Sequence, residues 1–199
     1  MNENLILIFT RNPELGKVKT RLAATIGNKN ALEIYEFLLN HTDSIVKNID
    51  ANKRVLYSEE INRHDIWDNS IYQKQEQFGQ DLGARMKNAF ANAFEDLYKK
   101  VVIIGTDLYD LESSDIETAF EKLNNHDVVI GPAIDGGYYL LGLKFIPDGI
   151  FINKKWGGNT VLYDTVADIE HLNICLLKPK NDIDTVKDIK KIEVFKKYI

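Results

Sequence analysis

Val128-Val129-Ile130-Gly131-Pro132-Ala133-Ile134-Asp135-Gly136-Gly137-Tyr138-Tyr139-Leu140-Leu141-Gly142-Leu143 is two apolar runs separated by a carboxylate and two glycines. The first run, Asp127 to Ile130, is short and β-branched, which suits a buried strand. The second, Tyr138 to Leu143, is aromatic and aliphatic without a charge and reads as another largely buried strand. Gly136 and Gly137 remove two Cβ atoms beside Asp135, which admits strained backbone or the close approach of a ligand. Two readings fit this stretch alone. One is a glycine-containing hairpin turn whose Asp satisfies its own backbone. The other is an acidic site at a strand end, costly to place unless something binds it.

On both sides of this stretch, strand-like runs alternate with helical stripes. Strands are expected at Leu5–Phe9, Arg54–Ser58, Ile71–Gln75, Val101–Ile104 and Ile174–Leu177. Leu32, Tyr35, Leu38, Leu39, Thr42, Ile45, Val46 and Ile49 recur at helical spacing, as do Leu82, Met86, Ala89, Phe90, Ala93, Phe94 and Leu97. Ser114 and Glu117 have the spacing of a capping box opening a helix that buries Ile116, Ala119, Phe120 and Leu123. A further helix is expected from about Asn159. A last one carries Val186, Ile189, Ile192 and Phe195, and residues 59–70 read as a short helix or loop. The alternation predicts an α/β fold: one domain over residues 1–199, a three-layer α/β/α sandwich with a mostly parallel sheet. In such sheets ligands bind beyond the carboxyl ends of the strands. The loop after Phe9, Asp107 after Ile104, and Asp135 after Ile130 all fall there, which favours the site reading of the opening stretch.

Composition narrows the function classes. The 199 residues are 44% apolar and 28% charged, as in an ordinary globular protein. A net charge of −5 gives no global electrostatic case for nucleic acid or an anionic membrane surface. The one cysteine, Cys175, lies in an apolar run, reads as core and fits a reducing compartment. The amino-terminal run is too short for a signal peptide, and no run approaches the ~20 apolar residues of a membrane span. The expected location is cytoplasmic.

The loop Arg11-Asn12-Pro13-Glu14-Leu15-Gly16-Lys17-Val18-Lys19-Thr20-Arg21-Leu22 is locally basic. With 25 basic residues in 199, an eleven-residue window should hold about one; Arg11, Lys17, Lys19 and Arg21 make four. Between a strand and a helical segment, this suits a polyphosphate: lysines as point charges, arginine as a fork, Gly16 for backbone approach. It is neither a Walker A loop nor a G-x-G-x-x-G turn. Asp107 and Asp135 together offer oxygen ligands for Mg²⁺ or Mn²⁺. His41, His64, His126 and His171 show no ligand spacing, and no G-x-S-x-G elbow is present. Asp81 suits the N-cap of a helix from which Arg85 could reach an anion, and Asp184 suits the cap of the last helix.

These residues carry a resemblance. P-E-L-G-K-V-K-T-R-L at 13–22, D-L-G-A-R-M at 81–86, Gly105-Thr106-Asp107, G-P-A-I-D-G-G-Y-Y-L-L-G-L at 131–143, Trp156 and D-I-D-T at 182–185 occur in one order. That order resembles the radical-SAM/selenodomain-associated transferase family. This group is glycosyltransferase-A-like and is similar to the nucleotide-diphospho-sugar transferase superfamily. The resemblance implies that Lys17, Lys19 and Arg21 contact nucleotide phosphates and that Asp107 and Asp135 hold the metal. Three positions depart from the family pattern: Arg11 for a usual lysine, Tyr109 for a usual proline, and Gly157-Gly158-Asn159 for a usual Ser-Thr.

The expectation is therefore a metal-dependent transferase that takes a nucleotide or nucleotide-sugar donor and a small-molecule acceptor. Asp135 and Lys17 are the candidate catalytic residues. Arg11, Gly16, Lys17, Lys19, Arg21, Asp81 and Arg85 are expected on the nucleotide. Asp107 and Asp135 would hold Mg²⁺ or Mn²⁺, and Gly136, Gly137, Tyr138 and Trp156 face the acceptor. Nucleotidyl transfer with pyrophosphate release is favoured by the four cations of the first loop. Glycosyl transfer and a non-catalytic nucleotide-binding module are the alternatives. Residues 154–159, rich in glycine, are expected to form a mobile flap on the acceptor side.

Overall fold

The computed structural model describes residues 2–199. Seven strands form one sheet: β1 (Asn4–Thr10), β2 (Asn52–Tyr57), β3 (Tyr72–Glu76), β4 (Lys100–Ile104), β5 (Val128–Pro132), β6 (Tyr138–Leu143) and β7 (Ile174–Leu176). Their order is β3-β2-β1-β4-β6-β5-β7. Pairings are parallel except those of β6, which runs antiparallel to both β4 and β5. The expected mostly parallel α/β sheet is present. Tyr138–Leu143 reverses direction in the middle of it, as the hairpin reading of the Asp135-Gly136-Gly137 turn requires, although the strand's own residues do not signal it. A strand buried on both faces lacks the alternation that would mark its direction.

The helices are α1 (Thr20–Ile26), α2 (Asn28–Val46), α3 (Leu82–Glu95), α4 (Ser113–Lys122), α5 (Val161–Asp168) and the short α6 (Val186–Ile189). Along β1 the side chains alternate between two cores. Ile6 and Ile8 join Tyr35, Leu39 and Val46 of α2 and Ile116, Ala119 and Phe120 of α4. Leu5 and Leu7 join Met86, Ala89, Phe90 and Ala93 of α3. Period two in the strands and 3.6 in the helices thus place helices on both faces of the sheet. A third cluster, Leu22, Ile34, Leu38, Ile183, Ile189 and Phe195, ties the chain's last segment to α1 and α2. That cluster brings residues 182–184 beside the first loop. Among the described residues, no helix is long and apolar enough to cross a membrane.

Several local expectations are corrected. The capping box of α4 is Glu112 with Asp115, each accepting from the other's backbone N–H; Ser114 lies inside the helix and its hydroxyl donates to Glu112. A carboxylate can serve as the Ncap acceptor as well as a hydroxyl can. The closing helix is broken into α6 and a 3₁₀ segment, Glu193–Tyr198. Its apolar positions still face inward, because Phe195 fills the third cluster from either geometry. Asp184 does not cap α6. Thr185 does, boxed with Asp188, which frees the Asp184 carboxylate for Arg21. Residues 59–70 form a loop plugged by Trp67, edge-on to Tyr72. Cys175, on edge strand β7, is half-buried and packs against a core without joining its fully buried set.

The Tyr35 hydroxyl binds the carboxyl end of β1. It accepts from the Arg11 N–H at 3.0 Å, donates to the Arg11 carbonyl at 3.1 Å, and lies 3.5 Å from both Thr10 Oγ1 and Thr106 Oγ1. Tyr35→Phe should therefore cost about 1–2 kcal/mol, because it leaves the partly buried Arg11 N–H unpaired and the Arg11 carbonyl with only the Thr10 hydroxyl at 3.3 Å. A urea midpoint that falls at unchanged slope would report it; an unchanged midpoint would show that water replaces the hydroxyl.

Candidate active site

A cleft of about 720 Å³ opens along the carboxyl ends of β1, β2 and β4. Its lining collects Arg11, Lys17, Lys19 and Arg21 from the first loop, Arg85 from α3, and Asp107, Asp135, Asp182 and Asp184. The sequence expectation that the basic loop and the two strand-end carboxylates converge is met. Gly16 does not line the cleft; its φ of +78° shapes the turn that the Lys17 N–H closes onto the Glu14 carbonyl.

Three of the four loop cations have a carboxylate partner. Lys17 Nζ lies 2.6 Å from Glu14, on the surface, and this contact first of all raises the lysine pKa. Arg21 meets Asp184 at 2.5 Å, also in the open. Lys19 differs: its side chain is only 7% exposed and its Nζ lies 3.2 Å from Asp107 Oδ2. Lys19 also has a left-handed backbone (φ 47°, ψ 44°) at the Ncap of α1. A lysine in that region is strained, and here the strain turns the ammonium inward onto the β4 carboxylate.

Asp107 follows β4, and Asp135 lies in the five-residue connection between β5 and β6. The turn reading of the opening stretch holds, and its carboxylate also faces the cleft. Asp135 Oδ1 accepts from the Gly137 N–H at 2.9 Å, a self-satisfied turn, and the same side chain lines the cleft. Gly136, at φ +96°, cannot be replaced freely, since a Cβ there would lie 2.1 Å from the Asn159 carbonyl oxygen.

A third carboxylate completes the group. Leu108 and Asp182 form an isolated bridge, and the Ile183 N–H donates to the Asp107 carbonyl at 2.9 Å. Burial, and then the charges of Asp107 and Asp135, push the Asp182 carboxyl up to about 6. Sequence reading named the D-I-D-T motif but not Asp182 as a site residue, because its neighbours are 47 and 75 positions away. Ser58, Gln77 and Gln80 also line the cleft and were not foreseen.

Asp81 caps α3, its side chain accepting from the Ala84 N–H at 2.8 Å. Arg85 donates to the carbonyls of Gly79 and Ser58 and to Gln77, holding the cleft wall together. Tyr109, the departure from the family pattern, stacks on His41 and packs against Phe37 and Phe195. From the segment 154–159, Trp156, Gly157 and Gly158 line a smaller cavity beside Asp135. Trp156 is seated on Gly83, where a Cβ would come within 2.5–2.6 Å of three indole atoms. Gly83→Ala should unseat the indole, shifting its emission red and raising acrylamide quenching. Emission and quenching like those of the parent would show that the α3 end yields instead.

Oxygen donors of this kind suit a hard divalent cation. Among the described residues, no group of three or more His, Cys, Asp or Glu side chains is gathered as a ready metal cage. Mg²⁺ does not require one: it is usually held by one or two carboxylates, with waters and substrate phosphates completing the shell. Asp107 and Asp135 therefore fit the ion that the resemblance implies.

A parallel sheet with one reversed strand and a charged cleft at the strands' carboxyl ends defines a nucleotide-diphospho-sugar transferase fold. A protein assigned as a nucleotide-diphospho-sugar transferase from Desulfovibrio desulfuricans G20 superposes with a TM-score of 0.87 at 32% identity, covering 98% of this chain and 91% of that one. Residues 42–158 match the family described as uncharacterized proteins conserved in bacteria, DUF2064, and the chain belongs to that family. The 2-phospho-L-lactate guanylyltransferase of Methanocaldococcus jannaschii is 30% identical over 131 residues, which are 65% of this chain and 56% of the relative. The chain thus aligns with little more than half of that relative's length. A cytidylyltransferase from Leptospira borgpetersenii shares the fold at a TM-score of 0.56 and 16% identity, over 96% of this chain and 84% of that one. These relatives are transferases by name, in keeping with the transferase expected from the motif order.

Proposed function

We propose that the protein is a nucleotidyltransferase that joins a nucleoside monophosphate from a nucleoside triphosphate to a small acceptor and releases pyrophosphate. The observation that carries this is the composition of the cleft: the cations of the first loop and the strand-end carboxylates line one cavity, with Lys19 paired to Asp107. The guanylyltransferase relative supports the same class of reaction. The narrower assignment to the radical-SAM/selenodomain-associated transferases rests on the D-G-G-Y-Y-L and K-V-K-T-R-L segments and belongs to this proposal.

The cleft lining holds five cations, Arg11, Lys17, Lys19, Arg21 and Arg85, and five carboxylates, Asp81, Asp107, Asp135, Asp182 and Asp184. It has no formal net charge with which to hold a polyphosphate. A divalent ion on Asp107 and Asp135 would tip that balance and neutralise charge on the leaving phosphates. Lys17, Lys19 and Arg21 would bind the β- and γ-phosphates. The acceptor oxygen would form a bond to the α-phosphorus as the bond from that phosphorus to the β-bridging oxygen breaks. The electron pair leaves with pyrophosphate, and a hydroxyl acceptor loses its proton to solvent or to a carboxylate of the site. Lys17 lies at the open rim, so its role is to hold the departing phosphates rather than to move a proton.

Glycosyl transfer is the second reading, favoured by the description of the Desulfovibrio protein. A thermal-shift panel of nucleoside triphosphates and nucleotide sugars, with and without Mn²⁺, identifies the donor. A ligand at one hundred times its dissociation constant adds about 2.7 kcal/mol. Product analysis then separates the readings. Metal-dependent pyrophosphate release supports nucleotidyl transfer, and nucleoside diphosphate release from a nucleotide sugar without pyrophosphate replaces it by glycosyl transfer. Binding without either product leaves a nucleotide-binding module.

A further inference from the structure

We infer that the Lys19 ammonium is a tethered gate on the metal-binding carboxylates. It holds Asp107 in the free protein and yields that carboxylate to a divalent ion only when donor phosphates draw it away. Metal and donor then bind as a pair, not one before the other. The gate deepens the proposed function and rests on its assignment of the ion to Asp107 and Asp135.

Among the described residues, Lys19 is the one cation within ion-pair distance of Asp107, Asp135 or Asp182. Asp107 Oδ1 lies back over Gly105, where a Cβ would come within 2.9 Å, and Oδ2 accepts from Lys19 at 3.2 Å. The lysine side chain is nearly buried, whereas that of Asp107 is 40% exposed. An ion can therefore reach Asp107 from solvent, and what opposes it is charge. A divalent ion and an ammonium on one carboxylate repel each other across a few ångströms, where screening is weak. The left-handed backbone of Lys19 aims its stem inward, so the chain as well as the carboxylate keeps the ammonium there. Its charge also reaches Asp182, lowering a carboxyl that burial, and then Asp107 and Asp135, push up. Asp135 alone is a poor substitute. Its Oδ1 already accepts from the Gly137 N–H, and among the described residues no third side chain completes a cage. Lys17 and Arg21 do not compete in this way, because their partners are Glu14 and Asp184, in the open.

A triphosphate changes the balance. It offers several negative oxygens where Asp107 offers a single charge, and an ammonium binds phosphate as readily as carboxylate. Lys19 turns to the phosphates and releases Asp107, and an ion that arrives with those phosphates meets both strand-end carboxylates free. Coupling is reciprocal, so the ion strengthens phosphate binding by the factor by which phosphate strengthens the ion's.

Calorimetric titrations of the intact protein with Mn²⁺ alone and with preformed Mn²⁺–tripolyphosphate test this, the inorganic chain standing for the donor's phosphates. In Lys19→Met the two affinities should move in opposite directions. Mn²⁺ alone should bind about tenfold more tightly than to the parent, an ordinary coupling between two ligands. The complex should bind more weakly, because its phosphates lose the ammonium. A lysine that only supported the fold would move both affinities the same way. Lys19→Gln, a second neutral replacement, should repeat the result. Lys17→Met removes a charge from the same loop but not from Asp107, and should leave the affinity for Mn²⁺ alone within about twofold of the parent. Adding Asp107→Asn to Lys19→Met should remove the gain. Equal or weaker binding of Mn²⁺ alone in both neutral variants overturns the inference, as does a gain that survives Asp107→Asn or appears equally in Lys17→Met. Opposite signs without pyrophosphate from any nucleoside triphosphate leave the gate standing and refute the nucleotidyltransferase reading. Pyrophosphate release with both affinities falling together keeps that reading and removes the gate.

Discussion

Asp107→Asn and Asp135→Asn should each abolish the metal-dependent stabilisation by a nucleoside triphosphate while leaving the far-ultraviolet circular dichroism unchanged. Turnover should fall at least about 100-fold, the scale of losing one preorganised electrostatic contact to developing charge. Both side chains are partly or largely solvent-facing and neither fills a core, so the sheet does not depend on them. A second consequence separates a ligand role from general damage. Asp107 holds Lys19 at 3.2 Å, so its neutralisation releases an inward-facing ammonium and removes a negative charge from a balanced cleft. Triphosphate binding without metal should therefore strengthen slightly in Asp107→Asn even as binding with metal is lost. Calorimetry with and without Mn²⁺ reads both signs. A metal-dependent shift that survives in either variant would remove that carboxylate from the ion.

The strands and main helices were legible because their signals are local. Val101–Ile104 can only be buried, and the α2 and α3 stripes have one apolar face each. The direction of β6 was legible from its connection and not from the strand itself. Tyr138–Leu143 is apolar throughout, and direction in a sheet is decided by the length of the connection: five residues between β5 and β6 allow only an antiparallel return. The Asp135-Gly136-Gly137 turn carried that information, and the same residues also place a carboxylate in the cleft.

The site was legible by halves. Basic residues crowded into one loop and aspartates at strand ends are sequence features, and they meet in one cleft. Asp182 became visible only through the Leu108–Asp182 bridge, a contact that local spacing does not encode. Asp184 was misread for a related reason. Both Asp184 and Thr185 have capping side chains at the start of α6, and the choice fell to Thr185 because Asp188 completes its box. Local charge also overstated the case for an anion site, since Glu14, Asp107 and Asp184 each already engage one of the loop's cations.

That partial neutralisation ranks the cations in the choice of donor. A nucleoside triphosphate brings three phosphates and a nucleotide sugar two, so extra positive charge favours the former only where it is not screened. Lys17 and Arg21 have side chains 60% and 73% exposed, and in water an ion pair gains little. Lys19 lies out of solvent, where a phosphate contact is worth more. Lys19→Met keeps the stem and removes the charge. It should weaken metal-dependent triphosphate binding by about tenfold or more, roughly 1.4 kcal/mol for each tenfold step. Lys17→Ala and Arg21→Ala should cost a few-fold each at low salt, and less as salt rises. All three should weaken diphosphate-sugar binding less than triphosphate binding, because a nucleotide sugar has no third phosphate to lose contact with. Dissociation constants for both ligands, measured in all three variants, test this. Equal losses for the two ligands would mean that the loop reads only the diphosphate, and the donor would then be a nucleotide sugar.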